Sequence, residues 1–326
     1  MPRMTKRVFL ALALAALTLP ARADSYPNKS ITIMPLLAAG TGLDIAVRLY
    51  GEELSKSLGK PVVIENKPGA AGHAGIAALK AAPADGYTLM VATSAVMAIR
   101  PTLLKEKTYD SQKDFIPIAL YVKSPFILVV NPALPIHSVA DLIKYVKERP
   151  GQLSYSSSGV GGAPHLSGEY MKKRFGLDLA HVPYRNSPQS IADVAAGHVA
   201  LAFAEAGASL PLIKDGKLRA LAVSSAARLP TVPELPPFAE AAGAPDFETV
   251  SWHVLLAPEG TPKDVVDKLH SEMVRILAAP AVKQKIADLG LIPIDVASVE
   301  DMRRYIATEN EKWGALVKQL GLEGSQ

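Results

Sequence analysis

Repeatedly along this chain a short apolar run ends in a turn of small residues and leads straight into a helix-patterned stretch. Ser30–Leu36 alternates and is rich in Ile, so it reads as a strand. Gly40-Thr41-Gly42 turns the chain, and Leu43–Leu58 then keeps Leu43, Ala46, Val47, Tyr50, Leu54 and Leu58 on one broad face until Gly59 stops it. Pro61–Glu65 is a short strand, Gly69–Lys80 starts glycine-rich and becomes an Ala-rich helix, and Tyr87–Thr93 is another strand. Strand, glycine turn, helix, strand is the pattern of a βαβ unit and a mostly parallel sheet.

The same pattern returns in the middle of the chain. Phe115–Val122, Phe126–Asn131, Leu153–Ser156, Leu179–Val182, Val199–Phe203 and Leu218–Ser224 read as strands, with helical stretches between them. Ser138 is placed to cap a helix with Asp141 three residues on, and a helix follows the loop Ser157–Pro164 as far as Phe175. Leu229–Glu248 is Pro-rich and reads as a loop or linker. The end is helical. Thr261 reads as an N-cap with Pro262 at the first position, and Ser298 with Asp301 starts the last helix. A chain of 326 residues exceeds the usual size of a single core. Two α/β lobes are therefore expected, with mixed, mostly parallel sheets and two crossovers, near Ser124 and near Val250–Ala257. A cleft between such lobes collects the carboxyl ends of strands and the free N–H groups of helix N-termini.

Composition narrows the function classes. Arg3, Lys6 and Arg7 precede a twelve-residue apolar run, Val8–Leu19, broken only by Thr18; Pro20 and Ala21-Arg22-Ala23 follow. The run is too short to span a bilayer, and the whole has the form of a secretory signal cut after Ala23. Taking Arg3, Lys6, Arg7 and Arg22 from 35 basic residues leaves 31, equal to the 31 acidic ones. A neutral mature chain has no broad basic surface for nucleic acid. The absence of Cys excludes disulfides, thiolate metal sites, a Cys nucleophile and a lipid-modified N-terminal Cys. A soluble periplasmic protein without a membrane anchor is expected, monomeric and without cofactor or metal.

No P-loop, H-E-x-x-H or G-x-S-x-G pattern is present, and the seven His residues are scattered. His165 could serve Ser157 or Ser158 as a base, or pack locally. Three small-residue loops say more: Ala38-Ala39-Gly40-Thr41, Thr93-Ser94, and Ser157-Ser158-Gly159-Val160-Gly161. Each follows a strand and can offer N–H groups and hydroxyls to an anion, or be only a turn. Arg185 follows a strand and precedes a helix, which suits an anion contact or a surface ion pair. Glu205 and Asp44 lie near strand ends and can accept hydrogen bonds from a ligand; Asp44 can equally cap its own helix.

Over nearly all of the mature length the chain resembles the Bug family, the substrate-binding proteins of tripartite tricarboxylate transporters. The segments that carry this are Glu65-Asn66-Lys67-Pro68-Gly69-Ala70-Ala71-Gly72, Ala84-Asp85-Gly86-Tyr87-Thr88-Leu89, Tyr155-Ser156-Ser157-Ser158-Gly159, His181-Val182-Pro183-Tyr184-Arg185, and Gly216-Lys217-Leu218-Arg219-Ala220-Leu221-Ala222-Val223, in this order. The resemblance implies a type II-like, Venus-flytrap periplasmic binding protein. One lobe would be discontinuous, residues 24–124 with 252–326, and the other would be 125–251. It implies a small organic acid as ligand, a dicarboxylate or an aromatic carboxylate, held by loop backbone, hydroxyls and water, and membrane transporter subunits as partners. Two departures stand out. The loop from Pro35 to Asp44 is one residue longer than usual, with Leu36 in place of an aromatic, and Arg100 stands where the family usually has Asn.

Two other functions fit a secreted α/β chain. One is a hydrolase using Ser157 or Ser158 with His165; the other is a sensor that binds the same ligand and signals to a membrane kinase.

Overall fold

The computed structural model describes residues 26–68, 72–295 and 297–326. The signal segment with its cleavage point after Ala23, and Gly69–Ala71 of the glycine-rich stretch, lie outside the described residues.

The sequence up to Ser124, with its C-terminal quarter, builds one mixed sheet in the order β11-β4-β10-β3-β1-β2. Its strands are β1 (Ile31–Pro35), β2 (Val62–Ile64), β3 (Thr88–Thr93), β4 (Phe115–Ser124), β10 (Ser251–Pro258) and β11 (Ile292–Pro293). The middle builds a second sheet, β7-β6-β8-β5-β9, from β5 (Phe126–Val130), β6 (Leu153–Ser157), β7 (Leu179–Pro183), β8 (Leu201–Glu205) and β9 (Arg219–Val223). Each sheet is the centre of one lobe. The helices that cover them are α1 (Gly42–Leu58), α2 (His73–Ala81), α3 (Arg100–Leu103, continuing a π-helical turn over Ala95–Ile99), α4 (Val139–Lys147), α5 (Ala163–Phe175), α6 (Ser187–Ala196), α7 (Ala206–Lys214), α8 (Phe238–Ala242), α9 (Lys263–Ala278), α10 (Pro280–Asp288) and α11 (Val299–Gln319).

The sheets are less parallel than the strand–helix grammar suggests. Pairs β1–β2, β1–β3, β6–β7 and β6–β8 are parallel, whereas β4, β5 and β10 run against their partners. The reason is that β4 and β5 are one extended segment interrupted by Pro125, and β10 returns alongside it. A chain that leaves a lobe and comes back must enter the sheet in the opposite sense. Ser224 ties the crossing together: its hydroxyl donates to Thr249 O at 2.7 Å and accepts from Phe126 N at 2.9 Å.

Local signals hold at several helix starts. Ser138 accepts from Asp141 N and Ser298 from Asp301 N, and Gly59 ends α1 with a positive φ of 65°. Two readings need correction. Thr261 does not cap α9; its hydroxyl donates to Pro258 O at 2.8 Å, and Pro262 occupies the cap position. The segment 229–248 is no plain linker, because it contains α8 and buries Phe238 and Phe247 with ring centroids 4.1 Å apart. α11 packs its stripe, Met302, Ile306, Trp313 and Val317, into the core shared by both lobes. Buried Glu309 accepts from the indoles of Trp252 and Trp313, at 2.7 and 2.9 Å.

Candidate functional site

A cavity of about 540 Å³ lies between the two sheets, at the carboxyl ends of their parallel strands. The first-lobe wall is the turn after β1, with Leu36, Leu37, Ala38, Thr41 and Leu43, and the residues from Thr93 to Arg100 after β3. The crossing strands supply the floor: Ser124, Phe126, Ser251 and His253. The second-lobe wall is Ser158–Pro164 after β6, Tyr184–Ser187 after β7, and Glu205 at the end of β8. The lobes touch at both rims. An added Cβ on Gly207 would lie 3.2 Å from the Cα of Gly42, and one on Gly161 would lie 2.7 Å from Leu103 Cδ1.

Of the residues singled out in the sequence, Ala38, Thr41, Thr93, Ser158, Gly159, Gly161, Arg185 and Glu205 line this cavity. Ala39 and Gly40 sit at the exposed tip of the first loop, outside the wall. Asp44 is buried beneath that loop and is used internally. It accepts from Gly40 N at 2.9 Å, Arg48 Nε at 2.9 Å and Asn66 Nδ2 at 2.8 Å. Burial opposes its ionised form, but these bonds outweigh burial and hold the carboxyl below the usual range. Asp44 therefore positions the loop from behind the cavity wall. Ser94 is also enclosed, its hydroxyl 2.9 Å from that of Ser251.

Ser157 stands behind the wall as well, and it is not paired with His165. Its hydroxyl lies 2.7 Å from Nε2 of His181, not of His165, and also reaches Gly159 O at 3.1 Å. His165 Nδ1 accepts from Gly161 N at 3.2 Å and its ring lies 4.2 Å from that of His181. Burial pushes His165 down, and burial together with its His165 neighbour pushes His181 down to about 4. Both rings are neutral props for the Ser158–Gly161 loop. Ser157 is 1% exposed, which leaves no room for a substrate carbonyl at its oxygen.

Among the described residues, five helices of nine residues or more start at the cavity. α1 is capped by the Thr41 hydroxyl and α6 by the Asn186 side chain, but α2 (cap residue Gly72) on the first lobe and α5 (cap residue Gly162) and α7 (cap residue Glu205) on the second have no side-chain cap. Their open N–H groups and dipoles favour an anion. Arg185 is exposed beside α5 and α7 and makes no ion pair or hydrogen bond among the described residues. The carboxyl of Glu205 has no partner either, and burial pushes it up to about 7. On the floor, burial pushes His253 down to about 3, and neither of its ring nitrogens is hydrogen-bonded among the described residues.

Ser124, Ser251 and His253 carried no signal in the sequence. They lie within apolar strands, and only the antiparallel register that pairs His253 with Thr93 and Ser251 with Ser124 brings them to the cavity. Among the described residues no group of three or more His, Asp or Glu is placed to hold a metal, and no helix is long and apolar enough to cross a membrane.

Comparison with known proteins agrees with this fold. The model of the tripartite tricarboxylate transporter family receptor matches residues 46–322. The protein BugT of Bordetella pertussis is 32% identical over 322 residues, covering 98% of each chain. Among solved structures, Rpa4515 of R. palustris with adipate superposes with a TM-score of 0.86 at 34% identity, covering 91% of this chain and 98% of that one. MatC of Rhodopseudomonas palustris with bound malate gives 0.81 at 27% identity, covering 90% and 100%.

Proposed function

The chain belongs to the tripartite tricarboxylate transporter receptor family, whose members are two-lobed periplasmic binding proteins, and on that premise we propose that it captures a small organic carboxylate in the interlobe cavity and hands it to a membrane transporter. The lobes in this reading are residues 24–124 with 252–326 and residues 125–251, and the exported chain begins at Asp24.

The observation that carries the reading is the second-lobe wall. The uncapped starts of α5 and α7 and the unpaired Arg185 converge on one face of the cavity. Backbone N–H groups at a helix start hold a carboxylate by charge-assisted bonds without needing a basic cluster. Around them, Leu36, Leu37, Val96, Phe126 and Pro164 give the cavity apolar walls that suit a hydrocarbon body. The adipate and malate of the two solved structures are carboxylates of this general kind.

A thermal-shift screen of aliphatic and aromatic carboxylates tests the reading. A ligand that binds only the folded state adds about 2.7 kcal/mol at a hundredfold excess over Kd. The expected result is a concentration-dependent rise in Tm for a carboxylate and none for the matching amide. No rise with any carboxylate at millimolar concentration would remove the proposal.

A further inference from the structure

Arg100 is the most unusual charge in the molecule. It stands on the first-lobe wall of the cavity, only 3% exposed, at the start of α3. All its described partners are neutral. Nη2 lies 2.7 Å from Nε2 of His73, which burial and the adjacent guanidinium push below the ordinary imidazole value, so that this nitrogen accepts. Nη1 donates to Gln326 Oε1 at 3.2 Å, and Nε has no partner among the described residues. The nearby Tyr109 hydroxyl is pushed far up by burial and donates to Val96 O. No Asp or Glu pairs with Arg100 among the described residues. A guanidinium does not shed its proton in a protein, so burial leaves it charged and in need of a counter-charge.

We propose that Arg100 is an anion anchor of the cavity: it pairs with a second carboxylate of the ligand on the first-lobe wall, while Arg185 and the open helix starts receive the first on the second-lobe wall. The ligand is then a dicarboxylate that spans the cleft, and its two ends draw the lobes together. This rests on the reading of the cavity as a carboxylate site and specifies which carboxylates it prefers. Charge balance supports it. Two cations, Arg100 and Arg185, face a single acid, Glu205, whose ionisation burial pushes up to about 7, and His253 is uncharged. A dianion compensates what the wall leaves open; a monoanion leaves Arg100 uncompensated.

The test compares succinate, glutarate, adipate and pimelate, and terephthalate, each with the monocarboxylate of the same skeleton. Calorimetry is run on the wild type, Arg100→Met and Arg100→Lys. A charge-assisted bond to a buried guanidinium predicts that at least one diacid binds about tenfold or more tighter than its monoacid. Arg100→Met should reduce that preference to about twofold or less, and Arg100→Lys should keep most of it. The Tm of ligand-free Arg100→Met supplies the second readout. Removing a buried charge that has no ionic partner leaves Tm unchanged or raises it, whereas a purely structural role lowers it.

Equal binding of diacids and monoacids by the wild type overturns the proposal and leaves carboxylate binding intact. So does a preference that survives Arg100→Met. Failure of both variants to fold assigns Arg100 to structure and overturns it too. If no carboxylate binds the wild type, the functional reading itself has failed.

Discussion

The two walls of the cavity are built from the same unit, a strand that turns through small residues into a helix, yet they differ in what they leave free. On the first-lobe wall the turn before α1 satisfies itself. Thr41 caps the helix, and Asp44 collects Gly40, Arg48 and Asn66. On the second-lobe wall the turn before α5 is made of glycines. Gly159 and Gly161 have φ of 132° and 77°, and the helix starts without a side-chain cap. The first turn is thus a finished piece of structure; in the second, the N–H groups of Gly159, Gly161 and Gly162 are also used within the loop, and what stays open is the uncapped start of α5. A helix start becomes a binding site only where the chain withholds its own caps. The first-lobe wall contributes a buried side chain, Arg100, beside the uncapped start of α2 at Gly72.

Variants on the two walls should therefore behave differently. The largest effect is expected at Gly161. A branched side chain there meets Leu103 and Gln326 across the rim and forces a left-handed backbone, at a cost of about 1–3 kcal/mol before the lost closure is counted. Titration of Gly161→Val should show a loss of about a hundredfold. Next comes Ser158→Ala. Its hydroxyl lines the cavity, and losing one hydrogen bond to a charged group predicts about a tenfold rise in Kd. Wild-type affinity in both variants would break the comparison at the second wall.

Glu205 gives a smaller effect with a defined sign. Its carboxyl is pushed from 4.5 to about 7 by burial, so it is mostly uncharged below neutrality and becomes an anion above it. The folded state holds this proton more tightly than the unfolded chain. The stability it contributes is full below 4.5 and is lost as the pH rises through about 7. Carboxylate affinity should follow the same direction, falling severalfold between pH about 6 and about 8 as like charge builds up in the cavity. Glu205→Gln should bind with a flat pH profile over that range; an unchanged slope would assign the effect elsewhere. The smallest change in affinity is expected from Thr41→Ala on the first wall. Loss of this cap should lower stability by about 1 kcal/mol and leave Kd within about twofold. A large loss of affinity there would mean that the first turn binds ligand after all.

What was legible in the sequence is what depends on neighbours in the chain. The caps Ser138 and Ser298, the stop at Gly59 and the small-residue loops are local, and they appear where their spacing puts them. Asp44 shows the limit of such reasoning. A carboxylate three residues after Thr41 can cap or bind, and only the position of Asn66, from a different segment, decides between the two. Thr261 misled because its hydroxyl found the turn at Pro258 instead of the helix end. The pairing of Ser157 with His181 was hidden for a similar reason: adjacent parallel strands set Tyr155 opposite His181, so the ring reaches across to Ser157. His253 and Arg100 are the extreme cases. A buried His in an apolar strand says nothing alone, and an Arg before a proline marks only a departure from the family pattern. Their meaning comes from the cavity that two crossing strands open beside them.

The most direct measurement is a crystal structure of the protein soaked with a saturating dicarboxylate chosen from the titrations. The expected result is the ligand across the cleft, one carboxylate within hydrogen-bond distance of the Ser158–Gly162 backbone and Arg185, the other against the guanidinium of Arg100. A ligand bound elsewhere on the molecule, or one in the cleft with both carboxylates away from the starts of α5 and α7, would contradict it.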